Sequence, residues 1–143
     1  MNVAQILKTK GSDVLTVADD VSLGDVARTL TERRIGAVVV SRPGKPVAGI
    51  LSERDIVKAV AARGPGALGS PASEAMTSDV FCCDPSHSID ELMAMMTDRR
   101  IRHIPVLQDG ALKGIISIGD VVKLKIEETV REAEALKDYI ATG

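Results

Sequence analysis

The sequence carries one seven-residue pattern twice, and this internal repeat constrains the fold more than any other feature. Residues 49–55 read Gly-Ile-Leu-Ser-Glu-Arg-Asp, and residues 114–120 read Gly-Ile-Ile-Ser-Ile-Gly-Asp. Upstream of this pattern, residues 13–44 and 79–110 are identical at nine of 32 positions, where average residue frequencies would give about two. The two halves are therefore copies of one folding unit.

Each copy is predicted to fold as strand, helix, strand, strand, helix. In the first copy the strands are placed at 14–17, 37–41 and 47–51, with helices that start near Ser22 and at Ser52. In the second copy the strands are placed at 80–83, 104–107 and 112–116, with helices at 88–99 and from Asp120. These elements predict a mixed α/β (α+β) fold with two β-α-β-β-α units.

The same pattern predicts how the chain is divided. We place the first repeat at residues 1–62, which begin with a short helix, and the second at residues 74–126. Residues 63–73 are rich in Gly and Pro and are assigned as a linker. The last helix is longer than a repeat requires, so residues 127–143 form an extension. This extension either closes over the core or presents an apolar face to a second subunit.

Length and composition limit the classes of protein to which the chain could belong. At 143 residues it is long enough for one domain or a tight pair of half-domains. A formal net charge of -2 provides no electrostatic footprint for nucleic acid, and no apolar run is long enough for a membrane span. Cys82 and Cys83 are adjacent, which suits neither a disulfide between them nor a zinc site. We therefore expect a cytoplasmic protein that binds no metal.

The Ser-x-x-Asp motif at the end of each copy has two possible roles. It can act as a capping box, although such boxes favour Glu or Gln over the shorter Asp. Alternatively, Asp55 and Asp120 can accept hydrogen bonds from a vicinal diol while the N-terminus of the helix faces an anion. The residues alone leave both roles open.

A basic stretch at residues 99–103 is only partly shared between the copies. Its arginine pair, 99–100, recurs at 33–34, near a helix C-terminus where cations interact favourably with the helix dipole. Arg102 and His103 have Gly and Ala as counterparts in the first copy. Because the repeat does not require these two side chains, they are the better candidates for ligand contact, and arginine suits phosphate.

These features together resemble a tandem pair of cystathionine-β-synthase (CBS) domains. The resemblance rests on the two repeated units, the doubled Gly-Ile-x-Ser-x-x-Asp pattern and the Arg-His-Ile-Pro-Val stretch at 102–106. The resemblance covers residues 1–126, and the type it resembles is the free-standing bacterial one. It implies a Bateman module, in which two repeats pack about a pseudo-two-fold axis and form two clefts for adenosine-containing ligands.

The resemblance also implies which residues line the clefts. In such modules the aspartate holds the ribose hydroxyls, the serine lies near ribose or phosphate, and the first isoleucine packs on adenine. One cleft would contain Ile50, Ser52, Asp55, Phe81, Cys82, Arg102 and His103. The other would contain Ile115, Ser117, Asp120, Leu15, Thr16, Ile35 and Gly36. Because only the first has an arginine and a histidine for phosphate, we expect it to bind the more highly charged ligand.

The function implied by the resemblance is ligand sensing without catalysis. AMP, ADP, ATP, NAD(H) and S-adenosylmethionine share the adenosine that the motif reads. A bound ligand would shift the balance between two arrangements of repeats or subunits. Such modules usually form homodimers, and the protein partner that receives the signal is not evident from the sequence.

Three other hypotheses are weaker. The chain could be a structural dimerisation unit in which both Ser-x-x-Asp motifs are only caps. It could be an enzyme that uses His87 or His103 with a cysteine, but no nucleophile-base motif is present. Weak nucleic-acid binding through residues 99–103 would show a steep salt dependence.

Overall fold

The elements follow the predicted order, except that no strand forms near residue 80 and that a short helix at residues 72–75 was not predicted. A computed structural model describes residues 1–11 and 14–142. The elements are α1 (Val3–Lys10), β1 (Thr16–Ala18), α2 (Leu23–Arg33), β2 (Ala37–Arg42), β3 (Lys45–Ser52), α3 (Glu53–Arg63), α4 (Ala72–Ala75), α5 (Ile89–Arg99), β4 (His103–Gln108), β5 (Ala111–Ser117) and α6 (Ile118–Thr142), with a 3-10 turn at Pro65–Gly69. The start of the repeat match at Asp13 and the last residue of the predicted extension, Gly143, lie outside the described residues.

Two small sheets form, one from each half. β1 pairs parallel with β2, and β2 pairs antiparallel with β3. β4 and β5 form an antiparallel hairpin. The prediction of a strand at 80–83 is wrong, because the counterpart of β1 is reduced to one parallel bridge between Cys83 and Val106.

A proline explains this loss. In the first half, the amide of Val39 donates to the carbonyl of Leu15 at 3.2 Å and helps to hold β1 on the sheet. The counterpart of Val39 in the repeat is Pro105, which has no N–H to donate. The segment before Cys83 therefore lacks one of the bonds that a full strand would need.

Each half completes its core with a segment from the other half. Val3 and Ile6 of α1 are buried in the core formed by α5, β4, β5 and the start of α6. Conversely, Ala72 of α4 is buried in the core of the first half, and Met76 packs beside it. Matching backbone bridges join Asn2 to Ser88 and Pro71 to Ser22. The two halves therefore exchange equivalent segments, as expected for a pseudo-two-fold pair, and β3 contacts β5 between them.

Two glycines mark where the exchanged segments pass over the sheets. A Cβ atom at Gly49 would lie 2.5 Å from Sδ of Met76 and 2.9 Å from the carbonyl oxygen of Thr77. A Cβ atom at Gly114 would lie 2.6 Å from Cδ2 of Leu7. Glycine occupies this position in both repeats because a neighbouring segment approaches the strand closely.

The repeated arginine pair ends a helix in each half. α2 ends at Arg33 and α5 at Arg99, as the dipole argument predicts. The next residues, Arg34 and Arg100, both adopt the left-handed conformation with φ of 54°. The sequence did not indicate this conformation, since neither residue is the Gly or Asn that usually adopts it.

The last helix leaves the core after its first turns. Val121 is its buried residue, and residues 131–142 are all exposed. The exposed apolar side chains of α6 include Val122, Ile126, Val130, Leu136, Tyr139 and Ile140. The extension therefore does not close over its own core, and the other arrangement considered, an apolar face presented to a second subunit, stays a prediction. Within the described residues, no helix is both long and apolar enough to cross a membrane.

Candidate functional site

Asp55 lies at the start of α3 and is held there by Ser52. Oδ2 of Asp55 accepts hydrogen bonds from the amide of Ser52 at 2.9 Å and from its hydroxyl at 3.0 Å. The Ser52 hydroxyl in turn accepts from the amide of Asp55 at 3.3 Å. Among the described residues, no hydrogen bond to the other oxygen, Oδ1, is present. The motif is thus a capping box that leaves one carboxylate oxygen available.

Asp120 has the same local geometry at the start of α6. Its Oδ2 accepts from the amide of Ser117 at 2.8 Å and from its hydroxyl at 2.9 Å. The Ser117 hydroxyl accepts from the amide of Asp120 at 3.2 Å. The capping role, one of the two that the sequence left open, is therefore present in both copies.

A cavity of about 650 Å³ opens beside Asp55, between the two halves. Its walls come from the end of β3, the first turns of α3, the segment at 77–81 and the residues between α5 and β4. The lining residues are Gly36, Ile50, Ser52, Glu53, Arg54, Asp55, Val57, Lys58, Thr77, Asp79, Val80, Phe81, Arg100, Ile101, Arg102 and His103. The volume suits a small-molecule ligand.

Side chains of both charges line the cavity. Four cationic side chains, Arg54, Lys58, Arg100 and Arg102, line it together with the carboxylates Glu53, Asp55 and Asp79. The N-terminus of α3 also faces it, and helix N-termini favour anions. The cavity can therefore accept hydroxyl donors at a carboxylate and a negatively charged group at the cations.

The structure brings together six of the seven residues predicted for the Asp55 cleft. These are Ile50, Ser52, Asp55, Phe81, Arg102 and His103. Cys82 is not among the lining residues. Gly36, which the resemblance assigned to the other cleft, lines this cavity. It lies next to His103, since a Cβ atom at Gly36 would lie 3.4 Å from Nε2 of His103.

Phe81 is the single phenylalanine of the chain, and its ring packs against Arg99, which does not line the cavity. The guanidinium carbon of Arg99 lies 3.7 Å from the centre of its ring. A cation at this distance over an aromatic face is attracted by the ring quadrupole. The ring is thus held in place, and it forms part of the cavity wall.

The pKa of His103 is affected by charges from both helix starts, Glu53 of α3 and Asp120 of α6. Burial is the main cause that lowers the pKa of His103 below its ordinary value, and the charge of Lys10 adds to this effect. Glu53 and Asp120 act in the opposite direction, and Arg102 lowers the pKa further. These effects together favour the neutral form of His103.

The Asp120 site is arranged differently from the Asp55 site. Asp120 lines a smaller cavity of about 250 Å³ with residues of α1 and α6, namely Gln5, Ile6, Thr9, Lys10, Lys123, Leu124 and Glu127. The predicted partners Leu15, Thr16 and Ile35 are not among these residues. Leu15 and Ile35 are partly buried and pack against the core of the first half.

A lysine that sequence reasoning missed contacts Asp120 directly. Nζ of Lys10 lies 2.7 Å from Oδ2 of Asp120 and 2.8 Å from the carbonyl oxygen of Ile115. Burial raises the pKa of Asp120, but the hydrogen bonds from Lys10 and Ser117 outweigh this and hold the pKa below its ordinary value.

Several further lining residues of the large cavity were also missed. Arg54 and Lys58 belong to the repeated stretch, so their positions in the first turns of α3 were a signal that could have identified them. Asp79 and Arg100 reach the cavity from elements that the sequence assigned only structural roles. No pattern in the sequence places these two beside Asp55.

The cysteines and His87 do not form a catalytic arrangement. Cys83 is buried, and its pKa is raised to about 12, mainly by burial. Burial also raises the pKa of Cys82. His87 lies in a loop, where its Nδ1 accepts a hydrogen bond from the amide of Asp84 at 3.1 Å. Both thiols are therefore protonated near neutral pH and are poor nucleophiles.

Comparison with known proteins agrees with this architecture. The CBS domain family model matches residues 3–62 and 72–127. The mitochondrial CBS domain-containing protein CBSX3 of Arabidopsis thaliana is 32% identical over 149 residues, which cover 99% of this chain and 72% of the relative. The crystal structure of the CBS-domain containing protein ATU1752 from Agrobacterium tumefaciens matches with a TM-score of 0.84 at 50% identity, covering 87% of this chain and 92% of that one.

A third match is more distant. The CBS domain pair of protein MJ0100, in complex with 5'-methylthioadenosine and S-adenosyl-L-methionine, has a TM-score of 0.77 at 23% identity. The match covers 87% of this chain and 98% of that one, and it shows the fold. The family resemblance inferred from the doubled motif is thus confirmed, and the chain belongs to the CBS domain family as a tandem pair of CBS domains.

Proposed function

We propose that this CBS pair is a regulatory module that binds one adenosine nucleotide in the cavity beside Asp55. The observation that carries the proposal is the composition of that cavity. It combines an available carboxylate oxygen, an apolar wall and four cationic side chains within a volume of about 650 Å³. This combination matches the ribose, the base and the phosphates of a nucleotide.

The ribose is assigned to Asp55. Its Oδ2 accepts two hydrogen bonds from Ser52, and the other oxygen has no hydrogen bond among the described residues, so it is available to a ligand. A carboxylate accepts hydrogen bonds from hydroxyls strongly, because the acceptor is charged. A vicinal diol supplies two such donors.

The base is assigned to Ile50 and Phe81. Both lie in the cavity wall, and the ring of Phe81 is braced by Arg99. Apolar and aromatic side chains of this kind offer a flat surface on which a purine can stack. The assignment of adenine rather than another base follows the family resemblance.

The phosphates are assigned to the cationic side chains. Arg102 and Arg100 come from the segment after α5, while Arg54 and Lys58 come from α3. This cluster favours AMP, ADP, ATP or NAD(H) over S-adenosylmethionine, which carries no phosphate. The two ligands of the MJ0100 domain pair also lack phosphate, so this chain would differ from that relative in the ligand it selects.

The signal is proposed to be a change in conformation or assembly. Val57 on α3 and Val122 on α6 are equivalent in the repeat, and both are exposed, at 66% and 45%. A second copy of the chain could cover both valines through a symmetric contact, so we propose a homodimer through α3 and α6. Light scattering on the wild type and on Val57→Glu/Val122→Glu tests it: a dimer that becomes a monomer is expected, and an unchanged mass contradicts the proposal.

The module is proposed to act without catalysis and in the cytoplasm. Chromatography of ATP, AMP and NADH after prolonged incubation with the protein is expected to recover them unchanged. Accumulation of a product above the level in protein-free buffer would contradict the first part. Fractionation of cells that make the protein tests the proposed location, and recovery of the protein outside the cytoplasmic fraction would contradict it.

A scaffold without a ligand is the second candidate function. It is favoured by the capping geometry, which gives both Ser-x-x-Asp motifs a structural role. A thermal-shift panel separates the two, since a ligand that binds the folded state raises its melting temperature. The panel contains AMP, ADP, ATP, NAD+, NADH and S-adenosylmethionine.

The panel is applied to wild type, Asp55→Asn and the matched control Asp120→Asn. We expect a phosphate-bearing nucleotide to stabilise the wild type and Asp120→Asn but not Asp55→Asn. Silence across the panel in protein free of co-purified nucleotide would favour the scaffold. If the rise in melting temperature were lost in Asp120→Asn alone, the ligand would have to be assigned to the Asp120 site.

A further inference from the structure

The C-terminal helix α6 carries apolar side chains that its own chain leaves uncovered. Residues 131–142 are all exposed. A helical segment of this length is marginal in water unless an amphipathic face packs against a partner. The exposed larger apolar side chains from residue 126 onwards are Ile126, Val130, Leu136, Tyr139 and Ile140.

The apolar residues of α6 follow the spacing of a two-stranded coiled coil. Successive residues turn by about 100° around a helix, so residues spaced alternately by four and three lie on one face. From residue 122 onwards these residues alternate between the d and a positions of a heptad, and five of the six are apolar. In order they are Val122, Ile126, Thr129, Ala133, Leu136 and Ile140.

This seam, defined by those six residues, continues the contact proposed above for the homodimer. Val122 is one of the two exposed valines of that contact and is the first residue of the seam. Val121, which is buried in its own core, lies about 100° away around the helix. A second copy that docks at Val122 is therefore positioned to cover the residues that follow on the same face.

The charged residues beside the seam select the orientation of two paired helices. With Ala133 at an a position, Glu132 is at g and Lys137 is at e. In a parallel pair, g faces the e position five residues later, so Glu132 meets Lys137 of the second copy. In an antiparallel pair e faces e and g faces g, which places Lys123 against Lys137 and Glu132 against Glu132. Opposite charges therefore meet only in the parallel arrangement.

Glu132 and Lys137 are both available for this contact. Both are exposed, and within residues 1–11 and 14–142 neither belongs to an ion pair. Lys125, the preceding g residue, is paired with Asp90 of its own chain at 3.1 Å. In the parallel arrangement Lys125 would face Val130, so it opposes no charge of the second copy.

We propose that the C-terminal helices of two copies form a parallel coiled coil over residues 122–140, with two symmetry-related pairs between Glu132 and Lys137. This inference rests on the proposed homodimer and adds the extension, its orientation and its register. The occupant of the exposed seam is thus the same seam of a second copy.

Cysteine cross-linking tests the register. In the parallel arrangement Leu136 faces Leu136 of the second copy, whereas in the antiparallel one it faces Ile126 and the two copies of Leu136 lie about 15 Å apart. Leu136→Cys should therefore form a disulfide-linked dimer under mild oxidation. Asp138→Cys, on the opposite face of the helix, and the wild type, which keeps Cys82 and Cys83, are the controls and should not cross-link. Equal cross-linking of the two variants, or none in Leu136→Cys, overturns the inference.

Charge reversal tests the orientation. Lys137→Glu places like charges in both pairs of the parallel coil and should raise the dissociation constant of the dimer about 5- to 30-fold, measured by sedimentation. Glu132→Lys/Lys137→Glu restores opposite charges and should restore the wild-type value. Arg131→Glu, a charge reversal at an outward position of the same helix, is the control and should leave the value unchanged. Tighter dimerisation of Lys137→Glu would indicate the antiparallel arrangement and overturn the inference.

The inference and the proposed function fail separately. If the wild type is a dimer and Val57→Glu/Val122→Glu a monomer, but Leu136→Cys does not cross-link, the homodimer stands and the coiled coil is overturned. A monomeric wild type overturns both the homodimer and the coiled coil. Nucleotide binding is measured independently by the thermal-shift panel, so its failure is distinguished from either result.

Discussion

The two Ser-x-x-Asp sites are nearly identical within the motif and different just outside it. In both, the aspartate accepts from the serine amide and hydroxyl at 2.8–3.0 Å. Around Asp55 there is a large cavity with four cationic side chains, whereas Asp120 is paired with Lys10. A repeated motif thus determines a local cap, and the neighbouring segments determine whether a large cavity with cationic side chains or a paired lysine lies beside it.

The difference has its origin in two places where the repeat is not exact. Arg102 and His103 in the second copy stand where the first has Gly36 and Ala37, so the basic side chains collect at one cavity. The longer helix α1 supplies Lys10 at the other site. Duplication produced two equivalent caps, and these local differences made the two sites chemically unequal.

The largest effect that would sharpen this comparison is expected for Arg102→Ala. Loss of a charge-assisted hydrogen bond to phosphate should weaken nucleotide binding by about 1.5–3 kcal/mol, or roughly 10- to 150-fold. Calorimetry at low salt measures the change, because salt screens this interaction. Arg33→Ala, an exposed arginine at the end of α2, is the control and should bind as the wild type does. An unchanged affinity in Arg102→Ala would place the phosphates elsewhere.

The next largest effect is expected where a neighbouring segment passes close to Gly49 and to Gly114. Gly49→Ala should lower the free energy of unfolding by about 1–3 kcal/mol, since its Cβ would meet the backbone oxygen of Thr77 as well as Met76. Gly114→Ala should cost less, because its Cβ would meet only the end of the flexible Leu7 side chain. Urea denaturation measures both values. Equal losses of unfolding free energy would mean that the segment over Gly49 moves aside as easily as the Leu7 side chain does over Gly114.

A smaller effect concerns the acid stability of the Asp120 site. The pKa of Asp120 is held below its ordinary value of 3.8, so the unfolded state takes up this proton at a higher pH than the folded state does. The stabilisation is therefore present above about pH 4 and is lost as the pH falls through the folded pKa.

The matched variant for this effect is Lys10→Met. It should be less stable than the wild type near pH 7, by up to about 1 kcal/mol, because the pair is partly exposed. The difference should shrink as the pH falls below 4, and urea denaturation over this range follows it. A difference that stays constant with pH would show that the ion pair does not stabilise the fold.

The smallest effect is expected at His103, the residue between the two sites. Its pKa is below the ordinary value of 6.5, so the unfolded state gains a proton first as the pH falls. The wild type should lose stability relative to His103→Gln, by less than about 1 kcal/mol, as the pH decreases from about 6.5 towards the folded pKa.

Denaturation at several pH values between 7 and 5 checks this prediction. His87→Gln is the control, since this histidine lies in a loop away from both sites. If the unfolding free energies of the wild type and His103→Gln changed in parallel with pH, burial would not disfavour the charged imidazole.

Much of the site could be predicted because the repeat aligns one copy on the other. Asp55 and Ser52 were identified from the doubled motif, and Arg102 and His103 from their absence in the first copy. Asp79 and Arg100 could not be identified in this way, because they reach the cavity from a loop and from a helix end. The prediction for the Asp120 cleft did not include Lys10, which is 105 positions away from Ile115 in the sequence.

The sequence by itself determined the family, the order of the elements and the position of both helix caps. These properties follow from local patterns, such as hydrophobic periodicity and capping residues, and from the comparison of the copies. Only the tertiary structure decided that the halves exchange segments and that Lys10 meets Asp120. Each of these depends on which distant segments pack together, and packing is set by shape and burial across the whole chain rather than by any local pattern.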